Sequence, residues 1–229
     1  MKKQKALRVD ILTLFPEACS PYLEASILGR GQKSGALDLN VHQLRDWSKD
    51  KHNNVDDKPF GGGAGMVMQI QPFHDALVAL KVRTKKGTPT ATAKKTRVIV
   101  TSAKGKMFTQ QDAKRLCEYD RLVFLCGRYE GIDERVTEYL ADEELSIGQF
   151  VLTGGELPAL VMTDAVARLR PGVLGKEASL AEESWSDKDQ TEYPQFTRPE
   201  DYLGWKVPEI LLSGDHKKIE TWRREKRSS

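Results

Sequence analysis

Four segments of this 229-residue chain carry the residue types that do chemistry. The first, Asp56-Asp57-Lys58-Pro59-Phe60-Gly61-Gly62-Gly63-Ala64-Gly65-Met66, clusters glycines. Such a cluster lets a backbone approach a ligand closely and offers N–H groups to an anion, and it serves a plain tight turn equally well. Met66 stands where the last glycine of a G-x-G-x-x-G dinucleotide fingerprint would fall, and no G-x-x-x-x-G-K phosphate loop occurs, so nucleotide hydrolysis lacks its usual cradle. The second segment, Leu125 to Arg135, sets Arg128, Tyr129 and Glu130 beside Gly127, a combination able to recognise a planar, hydrogen-bonding base. The alternative makes Arg128 and Glu130 a surface ion pair and Tyr129 a packing residue. In the third, Ser146 to Pro158, apolar residues alternate with glycines, which suits a slot for an adenine ring read by main-chain groups, or one short strand and a turn. Asp164 and Arg168, four apart on the stretch that follows, can form an ordinary i,i+4 pair. The fourth contains Glu182, Glu183, Ser184 and Trp185, then Tyr193-Pro194-Gln195-Phe196-Thr197-Arg198-Pro199-Glu200; acidic residues in such a stretch ordinarily face water.

These segments need elements to hold them. Leu7 to Leu14 reads as a buried strand closed by Phe15-Pro16, Glu17 to Leu28 as helical, and Gly29, Gly31 and Gly35 as a turn. Leu37, Leu39 and Val41 alternate with polar residues, the period of a strand with one wet face. Arg45 to Gly65 is polar and glycine-rich, a long loop of the kind that is commonly functional. Gln71-Pro72 opens a helix with Phe73, Leu77 and Leu80 on one face, and Thr84 to Thr96 reads as a mobile surface excursion. Arg97 to Ser102 is a strand, Thr109 with Asp112 caps a helix running to about Tyr119, and Arg121 to Cys126 is another strand. Strand, helix and strand in this order predict a parallel α/β sheet whose ligands gather at the carboxyl edge, in loops such as Ala103-Lys104-Gly105-Lys106 and Gly127 to Gly131. Leu157 to Arg170 is helical and closed by Pro171-Gly172, Val173 to Glu200 is a linker, and Asp201 to Ser229 is a small unit with helix around Asp215 to Arg227.

Composition removes several function classes. Hydrophobic residues at 39% and charged residues at 30% fit a soluble globular protein, with no apolar run long enough for a membrane span. Arg8 and Asp10 interrupt the apolar run behind the basic start, so export is not expected. Three scattered cysteines form no C-x-x-C pair and suggest neither disulfides nor zinc, in keeping with a reducing cytoplasm; four histidines lack metal-hydrolase spacing, so the expected metal sites are none. A net charge of +3 does not by itself announce a nucleic-acid partner, but basic residues gather at the N-terminus, over Lys81 to Arg97 and over Lys217 to Arg227, where they can meet phosphates or simply face solvent.

Four blocks in collinear order are specific: Pro59-Phe60-Gly61-Gly62-Gly63 with Gly65-Met66, Gly127 to Val136, Ser146 to Pro158, and Tyr193 to Pro199. Through them residues 8 to 224 closely resemble the bacterial tRNA (guanine-N1)-methyltransferase TrmD family of the SPOUT class. That resemblance implies an α/β fold with a SPOUT-type parallel sheet, a deep C-terminal trefoil knot and a small α-helical C-terminal domain. Residues 1–172 would form the methyltransferase domain with its S-adenosylmethionine-binding knot, 173–200 an interdomain linker contributing the catalytic carboxylate, and 201–229 a short helical tRNA-binding domain. It further implies a cytoplasmic homodimer with each active site at the subunit interface, acting on tRNA guanine N1 at the position 3′-adjacent to the anticodon, and no membrane association.

Residue by residue, the resemblance implies that S-adenosylmethionine touches Thr101, Ser102, Gly127, Ile147, Gly148, Gln149, Phe150, Val151, Leu152, Gly154, Gly155 and Pro158. Tyr129 and Glu130 would hold the target base, with Asp57, Pro59 and Gly61 lining the tRNA side. Guanine N1 carries a proton and its lone pair is tied up, so a base must remove that proton before attack. The implied base is Glu183, where the best known members carry Asp, and Arg168 would stabilise charge developing on guanine O6. Ala103 replaces a typical proline, Phe150 a common tyrosine, and Thr84 to Thr96 is longer than usual. The chain ends soon after Trp222-Arg223-Arg224, short of the helices that usually complete the C-terminal domain, from which weaker or less stringent tRNA binding is expected. Magnesium is a requirement in the family, yet no ligand for it can be named here. Two other readings are a tRNA-binding protein of the same fold with impaired catalysis and a SPOUT methyltransferase acting on another RNA position.

Overall fold

The computed structural model describes residues 5–174, 184–185 and 191–227. By internal contact the chain divides into two compact units, Met1–Gly175 and Lys176–Ser229. In the first, alternating apolar residues build β1 (Leu7–Thr13), followed by α1 (Ser20–Glu24), α2 (Ser26–Lys33) and β2 (Leu37–Gln43). The short strands β3 (Asp56–Asp57) and β4 (Val67–Met68) bracket the glycine-rich segment as an antiparallel pair. Then come α3 (Ile70–Ala79), β5 (Thr96–Met107), α4 (Gln110–Cys117), β6 (Arg121–Cys126), α5 (Glu134–Tyr139), β7 (Glu143–Ser146) and α6 (Glu156–Ala167).

The main sheet has five parallel strands in the order β2-β1-β6-β5-β7, which bears out the parallel α/β expectation. Its two faces follow the two-residue period of the strands. Val9, Ile11, Leu122, Phe124 and Cys126 point into one core with Leu116, Ala159, Met162 and Val166 of α4 and α6. Leu12, Val98, Val100, Val123 and Leu125 point into the other, with Phe73 and Leu77 of α3 and Val136 of α5. The Thr109–Asp112 capping box is present in both directions and starts α4.

Several sequence expectations are corrected. Glu17 to Leu28 is not one helix: Ala25 is extended and Ser26 has φ 46°, so the chain turns between α1 and α2. Gly29 and Gly31 belong to α2 and only Gly35 (φ 76°) makes the turn, because a Cβ on Gly29 would lie 2.1 Å from the Glu24 carbonyl oxygen and one on Gly31 2.7 Å from Leu37. Thr84 to Thr96 lies at the surface as expected, with Ala93 its only buried residue, and carries turn hydrogen bonds from Thr84 N–H to Thr88 O and from Thr90 N–H to Val82 O. Ala103 to Lys106 is not a loop after a strand but part of β5: Thr101 and Lys106 both register with Leu145, so the residues between them bulge from the ladder. Gly105 is required in that bulge, since a Cβ there would lie 2.7 Å from the Glu144 backbone.

In the second unit residues 191–200 form no regular element. The antiparallel hairpin β8 (Asp201–Tyr202) and β9 (Trp205–Lys206) follows, then α7 (Glu209–Leu212) and α8 (His216–Lys226). Both central turn residues, Leu203 and Gly204, have positive φ, which matches the twist of a two-residue hairpin. Helix was the expected content here; the hairpin was not. Asp215 caps α8 by accepting from Lys218 N–H, and Phe196 packs against Trp222 with ring centroids 6.4 Å apart.

Candidate active site

The carboxyl ends of β5, β6 and β7 open onto a cleft of about 420 Å³, within the roughly 300–1,000 Å³ of ordinary small-molecule sites. One wall is the turn after β6, Gly127 to Ile132; the other is the segment after β7, Ser146 to Gly154 with Pro158 of α6. Of the cofactor residues expected from the sequence, Ser102, Gly127, Ile147, Gly148, Phe150, Val151, Leu152, Gly154 and Pro158 line the cleft. Tyr129 and Glu130, expected on the base side, line it too. Thr101 and Gly155 lie behind the wall. A Cβ on Gly155 would sit 2.0 Å from Thr101 Oγ1 and 2.9 Å from the backbone of Cys126 and Gly127. Thr101 itself donates to the Leu125 carbonyl. Gln149 is not on the lining.

Asp57, Pro59 and Gly61 are outside the lining as well, but their loop abuts it. Glu130 N–H donates to Met66 O at 3.0 Å and Met68 N–H to Gly131 O at 2.9 Å. Gly65 faces Glu130 so closely that a Cβ would lie 2.4 Å from Glu130 Cγ. Phe60, between Pro59 and the glycines, is fully exposed. Arg168 caps the C-terminus of α6, its N–H donating to Asp164 O, while the Asp164 carboxylate accepts from the Tyr22 hydroxyl. Glu183, the expected base, lies outside the described residues, as does Glu182.

The cleft suits a small ligand with one flat apolar end and one polar end. Val100, Ile147, Phe150 and Leu152 offer apolar contact, and the glycine-rich walls expose main-chain groups. Ser102, Lys104, Glu130, Glu134 and Glu144 ring the rest, with Lys104 Nζ paired to Glu134. Nearby thiols are poorly suited to act as nucleophiles: burial, reinforced by Glu156, pushes Cys19 up to about 11, and burial raises Cys126 well above the usual thiol range. Among the described residues, no group of three or more His, Cys, Asp or Glu side chains is placed to hold a metal ion, and no helix is long and apolar enough to cross a membrane.

Sequence reasoning missed one prominent feature. Arg128 does not pair with Glu130; it pairs with Glu156, only 3% exposed at the start of α6, with Nη2 and Oε2 3.0 Å apart. Nothing in the local pattern shows that the acid after Gly154-Gly155 faces inward; the signal is tertiary. Ile132, Glu134, Thr137 and Glu144 on the lining were missed for the same reason.

Residues 7–229 match the family described as tRNA (Guanine-1)-methyltransferase TrmD. Among curated relatives, the chain is 52% identical over 217 residues to the tRNA (guanine-N(1)-)-methyltransferase of Ruminiclostridium cellulolyticum, covering 95% of this chain and 89% of that protein. It is 48% identical over 219 residues to the enzyme of that name from Clostridioides difficile, covering 96% and 91%. With that of Bacillus subtilis the identity is 50% over 217 residues, covering 95% and 86%.

Proposed function

Because this chain belongs to the tRNA (guanine-1)-methyltransferase TrmD family, we propose that it moves a methyl group from S-adenosylmethionine to N1 of a tRNA guanine, at the position 3′-adjacent to the anticodon. The observation that carries this reading is the glycine-walled cleft at the carboxyl edge of the parallel sheet, with Tyr129 and Glu130 on one wall and the Ile147 to Leu152 run on the other. The donor set fits the cofactor: an apolar slot beside exposed main chain for the adenine, and polar side chains for the remainder. When bound, S-adenosylmethionine supplies a methyl group on a positively charged sulfur, a good leaving group that requires no covalent intermediate on the protein.

The chain's own residues do the rest. Thr101, Ser102, Gly127, Gly154, Gly155 and Pro158 shape the slot, and Gln149, which lies off the lining between Gly148 and Phe150, is assigned to the cofactor from the family resemblance alone. Glu183 takes the N1 proton and Arg168 stabilises the charge that then develops on O6. Tyr129 and Glu130 orient the base; Asp57, Pro59 and Gly61 meet the tRNA beyond it. We read residues 1–172 as the catalytic domain, 173–200 as the linker that carries Glu183, and 201–229 as a tRNA-binding unit. Support for the last comes from the basic side chains of Lys217, Lys218, Arg223, Arg224 and Lys226 on α8 and from Arg223 stacked 4.9 Å over the Tyr193 ring. A knotted crossing of the chain is supported by the close passage at Gly155, where the segment before α6 presses against β5 and β6. A homodimer with a shared active site is supported by apolar side chains left exposed on α6 and before it, Leu157, Val161 and Val151. A tRNA substrate supports reading the protein as cytoplasmic, and we assign magnesium no ligand in this chain.

The test is a methyl-transfer assay on unmodified tRNA with the product atom mapped by mass spectrometry. Methyl on guanine N1 is the expected outcome. Binding of S-adenosylmethionine without transfer would favour an RNA-binding protein of the same fold, and methyl on ribose or another base would assign a different target.

A further inference from the structure

Beside the cleft, Arg128 and Glu156 form an ion pair held by several further contacts. Glu156 is nearly buried, and its Oε1 accepts from Thr13 Oγ1 at 2.6 Å and from Arg128 Nε at 3.2 Å. Oε2 has the charge of Arg128 Nη2 3.0 Å away but lacks hydrogen-bond geometry. The guanidinium also donates from Nη1 to Thr153 O at 3.2 Å and stacks with Cζ 4.5 Å from the centroid of Phe15. One side chain therefore ties the end of β1, the turn after β6 and the start of α6 together.

Two neighbouring features depend on this tie. The pair runs directly over Gly154: a Cβ there would lie 2.3 Å from Arg128 Nε and 2.5 Å from Glu156 Oε2, so a larger residue would displace the pair from this geometry. Tyr129, next to Arg128, has φ 60°, a left-handed conformation that costs a non-glycine residue energy and persists only where its surroundings impose it. The imposing contacts are Arg128 N–H to Met68 Sδ, Gly131 N–H to Arg128 O, Glu130 N–H to Met66 O, and the anchored Arg128 side chain itself.

We propose that the Arg128–Glu156 pair is a positioning device, which fixes the Tyr129–Glu130 turn and the Thr153–Gly154 segment at the spacing the two walls of the cleft need for methyl transfer. Neither residue takes part in the chemistry. Arg128 spends its fork on Glu156 and Thr153, and Glu156 acts only through Arg128 and Thr13. This rests on the methyltransferase reading above and adds to it the residues that hold its base-binding turn.

A double-variant comparison on the full chain separates positioning from folding. Arg128→Met strands a carboxylate in the interior and lowers the melting temperature, whereas Arg128→Met with Glu156→Gln removes both charges and recovers it. A positioning pair leaves that double variant with recovered melting temperature, faster hydrogen exchange at the amides of Tyr129 to Gly131, and turnover lower by about 10- to 100-fold. Arg128→Lys, which keeps the charge without the fork, recovers melting temperature more fully than turnover. Turnover that returns together with stability in the double variant overturns the proposal. So does unchanged exchange at Tyr129 to Gly131, whatever the melting temperature. Absence of transfer by the unsubstituted protein rejects instead the methyltransferase reading, while the exchange measurement still reads the positioning.

Discussion

Single atoms decide the site. Gly155 has room for hydrogen only, because Thr101 Oγ1 and the Gly127 N–H occupy the space a methyl would take. Gly155→Ala is therefore expected to shift β5 or β6 against α6 and to weaken S-adenosylmethionine binding at least tenfold, read by calorimetric titration. Glu183→Gln tests the proposed proton acceptor: transfer should vanish while cofactor affinity stays near that of the unsubstituted chain. Wild-type turnover in that variant would remove Glu183 from the mechanism. Arg168→Lys keeps a positive charge but changes its geometry, so turnover should fall with little change in cofactor affinity if the guanidinium fits the developing O6 charge.

At the scale of elements, the parallel sheet is held by apolar packing on both faces and by charge networks within and at the edge of the sheet. Phe124 of β6 is fully buried, and Phe124→Ala should cost about 3–5 kcal/mol, measured by denaturant unfolding. Asp10 of β1 is fully buried yet accepts from Arg8, Arg121 and His42 at 2.7–2.9 Å. Burial by itself would raise its carboxyl, but the hydrogen bonds from His42 and Arg8 and the charge of Arg121 outweigh it and hold the group well below the usual carboxylate range. Glu143 of β7 and Asp112 of α4 behave alike, burial being outweighed by Arg115 and Arg97 at Glu143 and by Lys106, Arg115 and Thr109 at Asp112. Such groups bind protons less tightly folded than unfolded, so their stabilisation is complete above about pH 4 and is lost as pH falls through and below that value. Melting followed against pH should show this acid-side fall, shallower in Asp10→Asn, which should also melt lower at pH 7.

For the whole molecule, the exposed apolar side chains of Leu157 and Val161 stand four residues apart on α6, the spacing of one helical face. A charge placed on that face should break the proposed dimer: Val161→Glu is expected to sediment as a monomer, to keep the secondary structure of the sheet unit and to lose methyl transfer. A monomeric variant with full activity would show that each subunit carries a complete site.

Much of the order of strands and helices was legible in the chain because it follows from local patterns: the continuous apolar run Leu122 to Cys126, the alternation of Leu37, Leu39 and Val41, and the Thr109–Asp112 cap; the short elements α5, β7 and the two hairpins were not. The same patterns marked Gly127 to Gly131 and Ser146 to Pro158 as ligand loops, which the fold brings to one cleft. They misread Gly29 and Gly31 as a turn, since a glycine needed for close packing looks in sequence like one needed for positive φ. They also missed the bulge at Ser102 to Gly105 and the partner of Arg128. Both depend on partners remote in sequence, Leu145 of β7 in one case and Glu156 at the start of α6 in the other, and a contact between residues 28 positions apart is set by how strands and helices pack, which no short stretch of sequence encodes.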